Sequence, residues 1–369
     1  MIARDVALAA FERARQHCDP TRCVRLAAIE LLGGTEVPRG MFGLAIGKAA
    51  LAMARGAGAV IRGVIATPYD DGRGVPAGWT IHVSAHPTPD ERSLAAADAV
   101  IDLVASARGG DRVLALISGG ASALVERPAR GGSLAALRAE IAALMASGAP
   151  IQELNRRRTE LSAIKGGKLA RMCEAPIVTF ALSDVVGDDL HVIGSGPTIS
   201  DRPGELARVI APLATCATAM TEALAAAGVE VALVREPVSG DVGALADRLA
   251  RSSVAAVWYG EPTVVVPADH GEGGRMQQLA LALARQLAGT DKSALAIGSD
   301  GMDGPPPAHR PAPAGAYVDG TTWAAIRAAG IDPQAALDRC DAGTALDAVG
   351  ALVITGPTGV NHADLVVIG

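Results

Sequence analysis

Aromatic residues are scarce in this 369-residue sequence, in which Phe, Trp and Tyr together make up only 2%. The chain therefore has few rings on which nucleic-acid bases could stack. Its formal net charge is −6 at pH 7, so it lacks the positive charge that binds a polyanion by releasing counterions. These two shortages argue against nucleic acid as a partner.

Long hydrophobic runs and cysteine pairs are missing as well. No stretch of about 18 consecutive apolar residues occurs, so the sequence predicts no membrane span and no membrane partner. The five cysteines are scattered and form no C-x-x-C pair, which implies neither a disulfide framework nor a zinc cluster. The N-terminal stretch carries charges early and lacks the apolar core of a signal peptide. We therefore expect a reduced, soluble, cytoplasmic protein.

Two common nucleotide-binding motifs are also absent. The dinucleotide fingerprint G-x-G-x-x-G does not occur anywhere in the chain. A P-loop ending at Lys48 would need a glycine where Phe42 stands and a Ser or Thr where Ala49 stands. Any nucleotide must therefore be held by another arrangement of residues.

The composition indicates a folded protein with more than one core. Hydrophobic residues make up 50% of the chain and charged residues 20%, which is enough apolar side chain for a sizeable core. Single cores stop growing at roughly 250–300 residues, so the length predicts two domains. We place them at residues 1–245 and 250–369.

Short apolar strands alternate with Gly-rich turns and helices along the first of these domains. The predicted strands lie at 44–46, 64–66, 81–83, 112–117 and 177–182. The predicted helices lie at 49–60, 90–106 and 135–145. Continuous apolar strands are buried on both faces, which is typical of a doubly wound α/β domain with ligands at the carboxyl ends of its strands. The second, smaller α/β domain has predicted strands at 255–258, 263–266, 294–297, 352–354 and 365–368 and a helix at 275–287.

The polar turns at strand ends supply the candidate ligand-binding groups. Gly47 and Lys48 place an ammonium where a strand gives way to a helix N-terminus, a combination that suits a phosphate. A solvated lysine is the alternative. The turn Ser118, Gly119, Gly120 and Ser122 offers two hydroxyls and unobstructed backbone N–H groups, although an N-capping serine would have the same sequence.

Further candidates follow along the chain. Asp184, Asp188 and Asp189 lie within six residues and could coordinate Mg²⁺, with a solvated acidic loop as the alternative. The turn at 194–196 follows them closely. Arg275 opens a helix after a glycine turn, where it suits a phosphate or a carboxylate. His86 stands between a strand and a proline, so a structural and a functional role are both open.

Taken together, these motifs resemble the class II D-glycerate 2-kinase family, whose C-terminal half is the MOFRL domain and some members of which were once described as hydroxypyruvate reductases. The matching segments occur in family order at 47–50, 86–90, 116–124, 162–170, 182–190, 194–198, 273–275, 299–305 and 355–359. The resemblance implies an N-terminal Rossmann-like domain, a C-terminal MOFRL domain, an active site in the cleft between them, ATP as donor and Mg²⁺.

The resemblance also implies roles for particular residues. Lys48 matches the active-site lysine of the family and Arg275 the arginine contributed by the second domain, while Asp184 would hold Mg²⁺ or accept the substrate proton, with Asp189 as second ligand. The residues expected to bind substrate or phosphate are Gly47, Ser118, Gly119, Gly120, Ser122, Asn155, Arg158, Gly194, Ser195, Gly196, Glu261, Asp300 and Asp303. A homodimer is left open.

The chain departs from the family pattern at several positions. Ala121 replaces a usual glycine, Thr159 and Glu160 replace a usual Lys and His, and Met276 and Gln278 replace a usual Asn and Glu. If Thr159, Glu160 and Met276 line the acceptor site, the acceptor is D-glycerate or another small polyhydroxy acid. An NAD(P)-dependent hydroxypyruvate reductase and a non-catalytic sugar-acid sensor are the alternatives.

Overall fold

The computed structural model describes residues 1–33, 40–148 and 151–369, without the side chains of residues 151 and 152. Its strands are β1 (Phe42–Ile46), β2 (Arg62–Thr67), β3 (Trp79–Val83), β4 (Val113–Ile117), β5 (Ile177–Leu182), β6 (Leu206–Ala211), β7 (Ala232–Leu233), β8 (Val238–Asp241), β9 (Ala256–Thr263), β10 (Ser293–Gly298), β11 (Gly315–Asp319), β12 (Leu352–Val353) and β13 (Asp364–Ile368).

The helices range from single turns to four-turn elements. They are α1 (Arg4–His17), α2 (Pro20–Leu32), α3 (Ala50–Ala57), α4 (Glu91–Ser106), α5 (Ala121–Leu124), α6 (Leu134–Ala146), α7 (Ile151–Leu161), α8 (Lys168–Arg171), α9 (Thr215–Ala226), α10 (Val242–Ala250), α11 (Arg275–Leu287), α12 (Thr322–Ala328), α13 (Pro333–Asp338) and α14 (Ala342–Asp347). Residues 19–212 form one compact unit, the first-sheet unit, and residues 1–18 with 213–369 form the other, the second-sheet unit.

The sheet of the first-sheet unit is parallel throughout, in the order β3-β2-β1-β4-β5-β6. This is the strand order of the doubly wound Rossmann fold, so the predicted fold class is confirmed. In such a sheet the connections leave in opposite directions from the two central strands, here β1 and β4. Ligands bind in the crevice beyond the carboxyl ends of those strands, which is where the turns at 47–48 and 118–122 lie.

Helices cover both faces of this sheet, and its central strands are therefore buried throughout. Every residue of β4 and β5 is buried. Helices α2 and α3 pack over one face and α4 over the other. Asp90 is the N-cap of α4. Its carboxylate accepts a hydrogen bond from the Arg92 N–H, and its own N–H donates to the Ser93 hydroxyl. This capping box fixes the start of the helix and thereby the position of the His86 segment before it.

The second-sheet unit is built on a mixed sheet in the order β12-β11-β10-β13-β9-β7, with β8 also paired to β9. Helix α11 is its central helix and buries ten residues, among them Met276, Gln277 and Gln278. Helices α1 and α9 pack against each other over the other face of the sheet. The predicted second α/β unit is thus present, with its helix at 275–287 as expected.

The compact units do not divide at residues 245–250, where the sequence analysis placed the boundary. Segment 213–245 lies with the second sheet, because β7 and β8 pair with β9 and α9 packs against α1. These contacts are made by elements distant in sequence, which local patterns do not reveal.

Strand β9 also differs from the prediction of two strands at 255–258 and 263–266. It is one continuous strand through residues 260–262, where the sequence predicts a turn. Gly260 has φ of +152°, and the strand changes its pairing partner at this residue. Residues 256–260 pair with β13, and residues 260–263 pair with β8. A β carbon at Gly260 would lie 2.0 Å from the Val238 carbonyl oxygen, so the close approach of β8 requires glycine.

Candidate active site

The turns after β1 and β4 are joined by direct hydrogen bonds. The Lys48 N–H donates to the Gly119 carbonyl (2.9 Å), and the Ala49 N–H donates to the Ser118 hydroxyl (3.1 Å). Gly47 has φ of +136°, and a β carbon there would lie 2.1 Å from Ser118 Oγ. Glycine is thus required for the turn to approach Ser118, and the two loops hold Lys48 at the switch point of the sheet.

Ser118 and Ser122 have different surroundings. Ser118 is buried, and its hydroxyl accepts a hydrogen bond from the Ala49 N–H before α3 rather than capping the helix that follows it in sequence. Ser122 is half-buried and lines a cavity. Its hydroxyl accepts a hydrogen bond from the Ser195 hydroxyl at 3.1 Å. Of the two, Ser122 is therefore placed to contact a ligand.

His86 lies beside Lys48 and Gly120. A β carbon at Gly120 would lie 3.1 Å from His86 Nε2 and 3.2 Å from the Lys48 Cγ. Burial, together with the nearby Lys48 ammonium, lowers the pKa of His86. The ring is consequently neutral at pH 7, and it can accept or donate a hydrogen bond in the cavity that it lines.

The turn at 194–196 is held in the left-handed region at all three residues. Ser195 has φ of +64°, which is uncommon for a residue with a β carbon and costs about 1–3 kcal/mol. The Ser195 and Gly196 N–H groups donate to Val192 and Ile193, so these two N–H groups are already used within the chain. The turn presents the Ser195 hydroxyl to Ser122 rather than a cradle of open N–H groups.

A cavity of about 420 Å³ lies within the first-sheet unit beside these groups. Its polar wall comes from the strand-end segments and α7, and its apolar wall from α6. The lining residues are His86, Pro87, Thr88, Pro89, Gly120, Ser122, Ala123, Glu126, Leu137, Arg138, Ile141, Ala142, Met145, Arg158 and Lys165. Both its size and its mix of apolar surface with a few polar groups are typical of small-molecule sites.

Arg158 is the half-buried cation of this cavity. Its Nη1 donates a 3.5 Å hydrogen bond to Asn155 Oδ1. Burial lowers the pKa of Arg158, and the Glu126 carboxylate opposes that shift. Within the described ranges, no carboxylate lies within 4.0 Å of the Arg158 or Lys48 side-chain nitrogens. Both cations are therefore available to an anionic ligand.

Three departures from the family pattern do not line this cavity. Glu160 is exposed and forms ion pairs with Arg156 and Arg157. Thr159 packs against Gly166, where its Cγ2 would lie 2.5 Å from a β carbon. Met276 is fully buried in the core of the second-sheet unit. Their side chains are used in helix-surface ion pairs and in packing, and a role for them in shaping the acceptor site stays a prediction.

The acidic loop after β5 contains carboxylates of unequal exposure. Asp184 and Asp188 are half-buried, whereas Asp189 is exposed and its carboxylate accepts a hydrogen bond from the His191 N–H (2.8 Å). Asp188 is thus less exposed than Asp189, whereas the sequence-based prediction is that Asp188 is the more exposed of the two. In the described part of the chain, no group of three His, Cys, Asp or Glu side chains could hold a metal ion by itself.

Arg275 is held at the start of α11 by a buried carboxylate. Its Nε donates to Asp364 Oδ2 at 2.6 Å, and its Nη2 lies 3.7 Å from Glu261 Oε1. The Asp364 side chain is 8% exposed and that of Arg275 37% exposed. Burial raises the pKa of Asp364 to about 7, although the Arg275 guanidinium opposes this. Asp364 therefore orients the guanidinium, whose remaining donors can reach a ligand.

Asp303 supports the same turn from within the protein. It is 4% exposed, and its carboxylate accepts hydrogen bonds from the Met276 and Gln277 N–H groups at 3.0 and 2.8 Å. Asp300 accepts from the Met302 N–H and lies on the same loop. The contacts of Asp303 cap helix α11, so its predicted contact with a ligand stays a prediction.

We expect Asp364→Asn to change how stability depends on pH. A carboxyl whose pKa is raised on folding stabilises the folded state while it is protonated, and this contribution is lost as pH rises from about 4 to about 7. The wild-type free energy of unfolding should fall relative to Asp364→Asn by about 1.4 kcal/mol per pH unit at the steepest. Thermal melts at pH 5, 6, 7 and 8 measure this, with Glu261→Gln as the exposed-carboxylate control. If the stability of wild type and that of Asp364→Asn depended on pH in the same way, the assignment of a raised pKa to Asp364 would be contradicted.

Sequence reasoning missed several of the residues that hold these candidate groups in place. Glu126 and Lys165 form a buried ion pair across the cavity wall, and Asp364 pairs with Arg275. These partners are 39 and 89 residues apart in sequence. Lys165 lies in a segment that matched the family, but its pairing could not be deduced from spacing.

The architecture and the site define an α/β protein with two units, one of them doubly wound with a cation-lined cavity at its switch point. Residues 6–232 match the family described as a domain of unknown function (DUF4147), and residues 254–364 match the MOFRL family. The chain belongs to the glycerate kinase family with a C-terminal MOFRL domain.

The chain aligns with several relatives over most of its own length and most of theirs. The glycerate 2-kinase of Pyrococcus horikoshii is 30% identical, with 100% of this chain and 97% of that protein covered. The D-glycerate 2-kinase of Thermotoga maritima is 34% identical over 88% of this chain and 89% of its own. A solved Thermotoga maritima glycerate kinase structure superposes with a TM-score of 0.86 at 30% identity, covering 99% of this chain and 98% of that one. A relative from Agrobacterium vitis, provisionally named a hydroxypyruvate reductase, is 35% identical over 98% of this chain and 93% of its own.

Among the helices in the described ranges, none combines the length and the apolar character needed to cross a membrane.

Proposed function

We propose that this protein is a glycerate 2-kinase, which transfers the γ-phosphoryl group of ATP to the 2-hydroxyl of D-glycerate. The observation that carries the proposal is the cation-lined cavity at the switch point between β1 and β4, in a chain similar over its full length to glycerate 2-kinases. Phosphoryl transfer depends mainly on aligning the reactants and stabilising charge, and cations on rigid turns supply both.

Lys48 is the residue that we assign to the transferred phosphoryl group in the first-sheet unit. Hydrogen bonds to Gly119 and Ser118 fix its turn. Helix α3 starts directly behind it, so the helix dipole and the ammonium both favour an anion. As negative charge develops on the phosphoryl oxygens, Lys48 stabilises it without having to be moved into position.

Arg275 is the corresponding residue of the second-sheet unit in our proposal. The guanidinium is positioned by Asp364, and Asp303 holds the backbone turn from which it projects. We propose that Arg275 binds phosphate oxygens of the reactants. Arg275 would do so through parallel N–H donors that match two phosphate oxygens.

We propose that Mg²⁺ enters with ATP and is held by Asp184, with Asp189 as a second ligand. Mg²⁺ usually keeps several waters and is bound through one or two carboxylates together with substrate phosphates. The half-buried Asp184 at the end of β5 fits that requirement without a three-residue metal site. When bound, the ion neutralises charge on the phosphate oxygens.

Asp184→Asn should therefore raise the Mg²⁺ concentration that gives half-maximal activity by about tenfold or more, because a neutral amide is a poorer ligand. Asp189→Asn should raise it less, since its exposed carboxylate is better solvated. Asp188→Asn is the matched control on the same loop. Titrating Mg²⁺ at saturating ATP measures all three, and equal, unshifted requirements would remove the loop from metal binding.

An ADP-release assay with D-glycerate, compared with an NADH-oxidation assay with hydroxypyruvate, tests the kinase against the reductase. We expect glycerate-dependent ADP release and no NADH oxidation. The absence of G-x-G-x-x-G from the sequence argues against the reductase, even though relatives carry that name. NADH oxidation without ADP release would overturn the proposal, and neither activity would favour a sensor.

A further inference from the structure

Glu126 is a buried carboxylate with an incompletely satisfied side chain in the wall of the cavity. It has no solvent exposure, and its Oε2 accepts a hydrogen bond from the Lys165 Nζ. Its other oxygen, Oε1, is buried and has no hydrogen-bond partner. A buried acceptor without a hydrogen bond is rare in folded proteins, because its desolvation is not compensated. A ligand that donates a hydrogen bond to Oε1 would compensate that desolvation.

The charges around Glu126 favour an anionic ligand despite its own negative charge. Lys165 is buried beside it and balances that charge. Arg158 and Arg138 also line the cavity, so its walls carry a net positive charge, and Arg158 has no ion-pair partner in the part of the chain described. A carboxylate on Arg158 and a hydroxyl on Glu126 would use both unsatisfied groups together.

The cavity is larger than a three-carbon acid requires. A water molecule takes about 30 Å³ in the liquid, so 420 Å³ holds roughly fourteen waters, whereas D-glycerate has seven non-hydrogen atoms. On the α6 side the wall is apolar, formed by Leu137, Ile141 and Met145. The space can therefore accommodate a longer hydroxy acid as well as glycerate.

We infer that this cavity binds the acceptor acid and that Glu126 Oε1 accepts a hydrogen bond from an acceptor hydroxyl that is not phosphorylated. The inference deepens the proposed function and rests on it for the identity of the acceptor. Arg158 pairs with the acceptor carboxylate. Glu126 is then a specificity-determining residue, which selects hydroxy acids that carry a second hydroxyl over those with one.

A comparison of two acids that differ by that hydroxyl tests the assignment. D-lactate has the carboxylate and 2-hydroxyl of D-glycerate but no 3-hydroxyl. Calorimetric binding without ATP should show that the wild-type protein binds D-glycerate about 10- to 100-fold more tightly than D-lactate, as expected when a hydrogen bond to a charged group is lost. This binding does not require phosphoryl transfer.

The variants must remove Oε1 without leaving Lys165 buried and unpaired. The double variant Glu126→Met/Lys165→Met replaces the whole ion pair by apolar side chains of similar length, a change that folds tolerate better than the loss of one partner. We expect its preference for D-glycerate over D-lactate to fall to about threefold or less. Glu126→Gln should lower the preference partly. The matched control Glu140→Met/Arg157→Met removes an ion pair outside the cavity and should keep it.

A role for Glu126 that is only structural would weaken both acids equally and leave their ratio unchanged. An unchanged ratio in Glu126→Met/Lys165→Met would therefore overturn the inference, as would wild-type protein that binds the two acids equally or binds neither. Failure of the proposed function would be seen separately, as an absence of ADP release by a protein whose binding preference still depends on Glu126.

Discussion

Lys48→Met should lower kcat by roughly 10²–10⁴, the effect seen when a preorganised charge-stabilising group is removed. The Michaelis constant for ATP should change much less, because the ammonium acts most strongly on charge that develops in the transition state. Steady-state kinetics with D-glycerate and ATP measures both constants. The fold should be retained, since Lys48 is half-buried and its turn is held by backbone hydrogen bonds.

Lys292→Met is the matched control for this substitution. Lys292 donates to the Ser252 carbonyl in the second-sheet unit and has no role in the proposed site. Its kinetics should resemble wild type. A folded Lys48→Met protein that keeps more than half of the wild-type kcat would remove Lys48 from the mechanism.

Arg275→Ala should lower kcat by a similar factor of about 10²–10⁴. Arg275→Lys should restore only part of the rate, because an ammonium cannot reproduce two parallel contacts to phosphate oxygens. Arg285→Ala on the same helix is the control, since Arg285 lies in the last turn of α11. Full activity of Arg275→Lys would contradict bidentate recognition, and full activity of Arg275→Ala would contradict any role in transfer.

Asp303→Ala should destabilise the second-sheet unit by about 2–4 kcal/mol. The substitution leaves the buried Met276 and Gln277 N–H groups without their acceptor, and it removes one of the two acceptors of the Gln277 side-chain amide, which keeps the Asp303 carbonyl. For a unit of this size, that corresponds to a fall in Tm of roughly 5–15 °C. Activity should also decline, because the same contacts fix the turn that carries Arg275.

Asp332→Ala is the matched control for the Asp303 prediction. Asp332 caps α13 in the same manner, through the Gln334 and Ala335 N–H groups, but these hydrogen bonds are exposed. Its loss should cost about 1 kcal/mol. Differential scanning calorimetry compares the two variants, and an equal, small change in both would show that burial adds nothing to the Asp303 cap.

Much of the fold could be predicted from local patterns. The continuous apolar runs of β4 and β5 indicate strands covered on both faces, and the polar turns after them indicate the edge where ligands bind. These turns point to that edge and to Lys48 as a candidate, whereas Arg158 enters only through the family resemblance. That either residue binds a ligand stays a prediction. Gly47 was identified as part of a phosphate turn, and the structure adds that its left-handed backbone is needed for contact with Ser118.

The rest depends on contacts that no local pattern encodes. The partners of Arg275 and Lys165 are far away in sequence, so neither Asp364 nor Glu126 could be chosen beforehand. The turn sequence suits Ser118 either as a ligand contact or as a helix cap, whereas the resemblance gives Asp303 only as a ligand contact. Only the structure shows that Ser118 accepts from the Ala49 N–H and that Asp303 caps α11. Segment 213–245 belongs to the second-sheet unit because β8 pairs with β9, and local sequence patterns do not reveal that pairing.

Phosphorus NMR of the reaction products tests the central claim most directly. The purified protein would be incubated with ATP, Mg²⁺ and D-glycerate, and the spectrum recorded against 2-phosphoglycerate and 3-phosphoglycerate standards. We predict stoichiometric formation of ADP and 2-phosphoglycerate. A spectrum in which ATP remains intact, in which no phosphorylated acid appears, or in which the product is 3-phosphoglycerate would contradict the assignment of this protein as a glycerate 2-kinase.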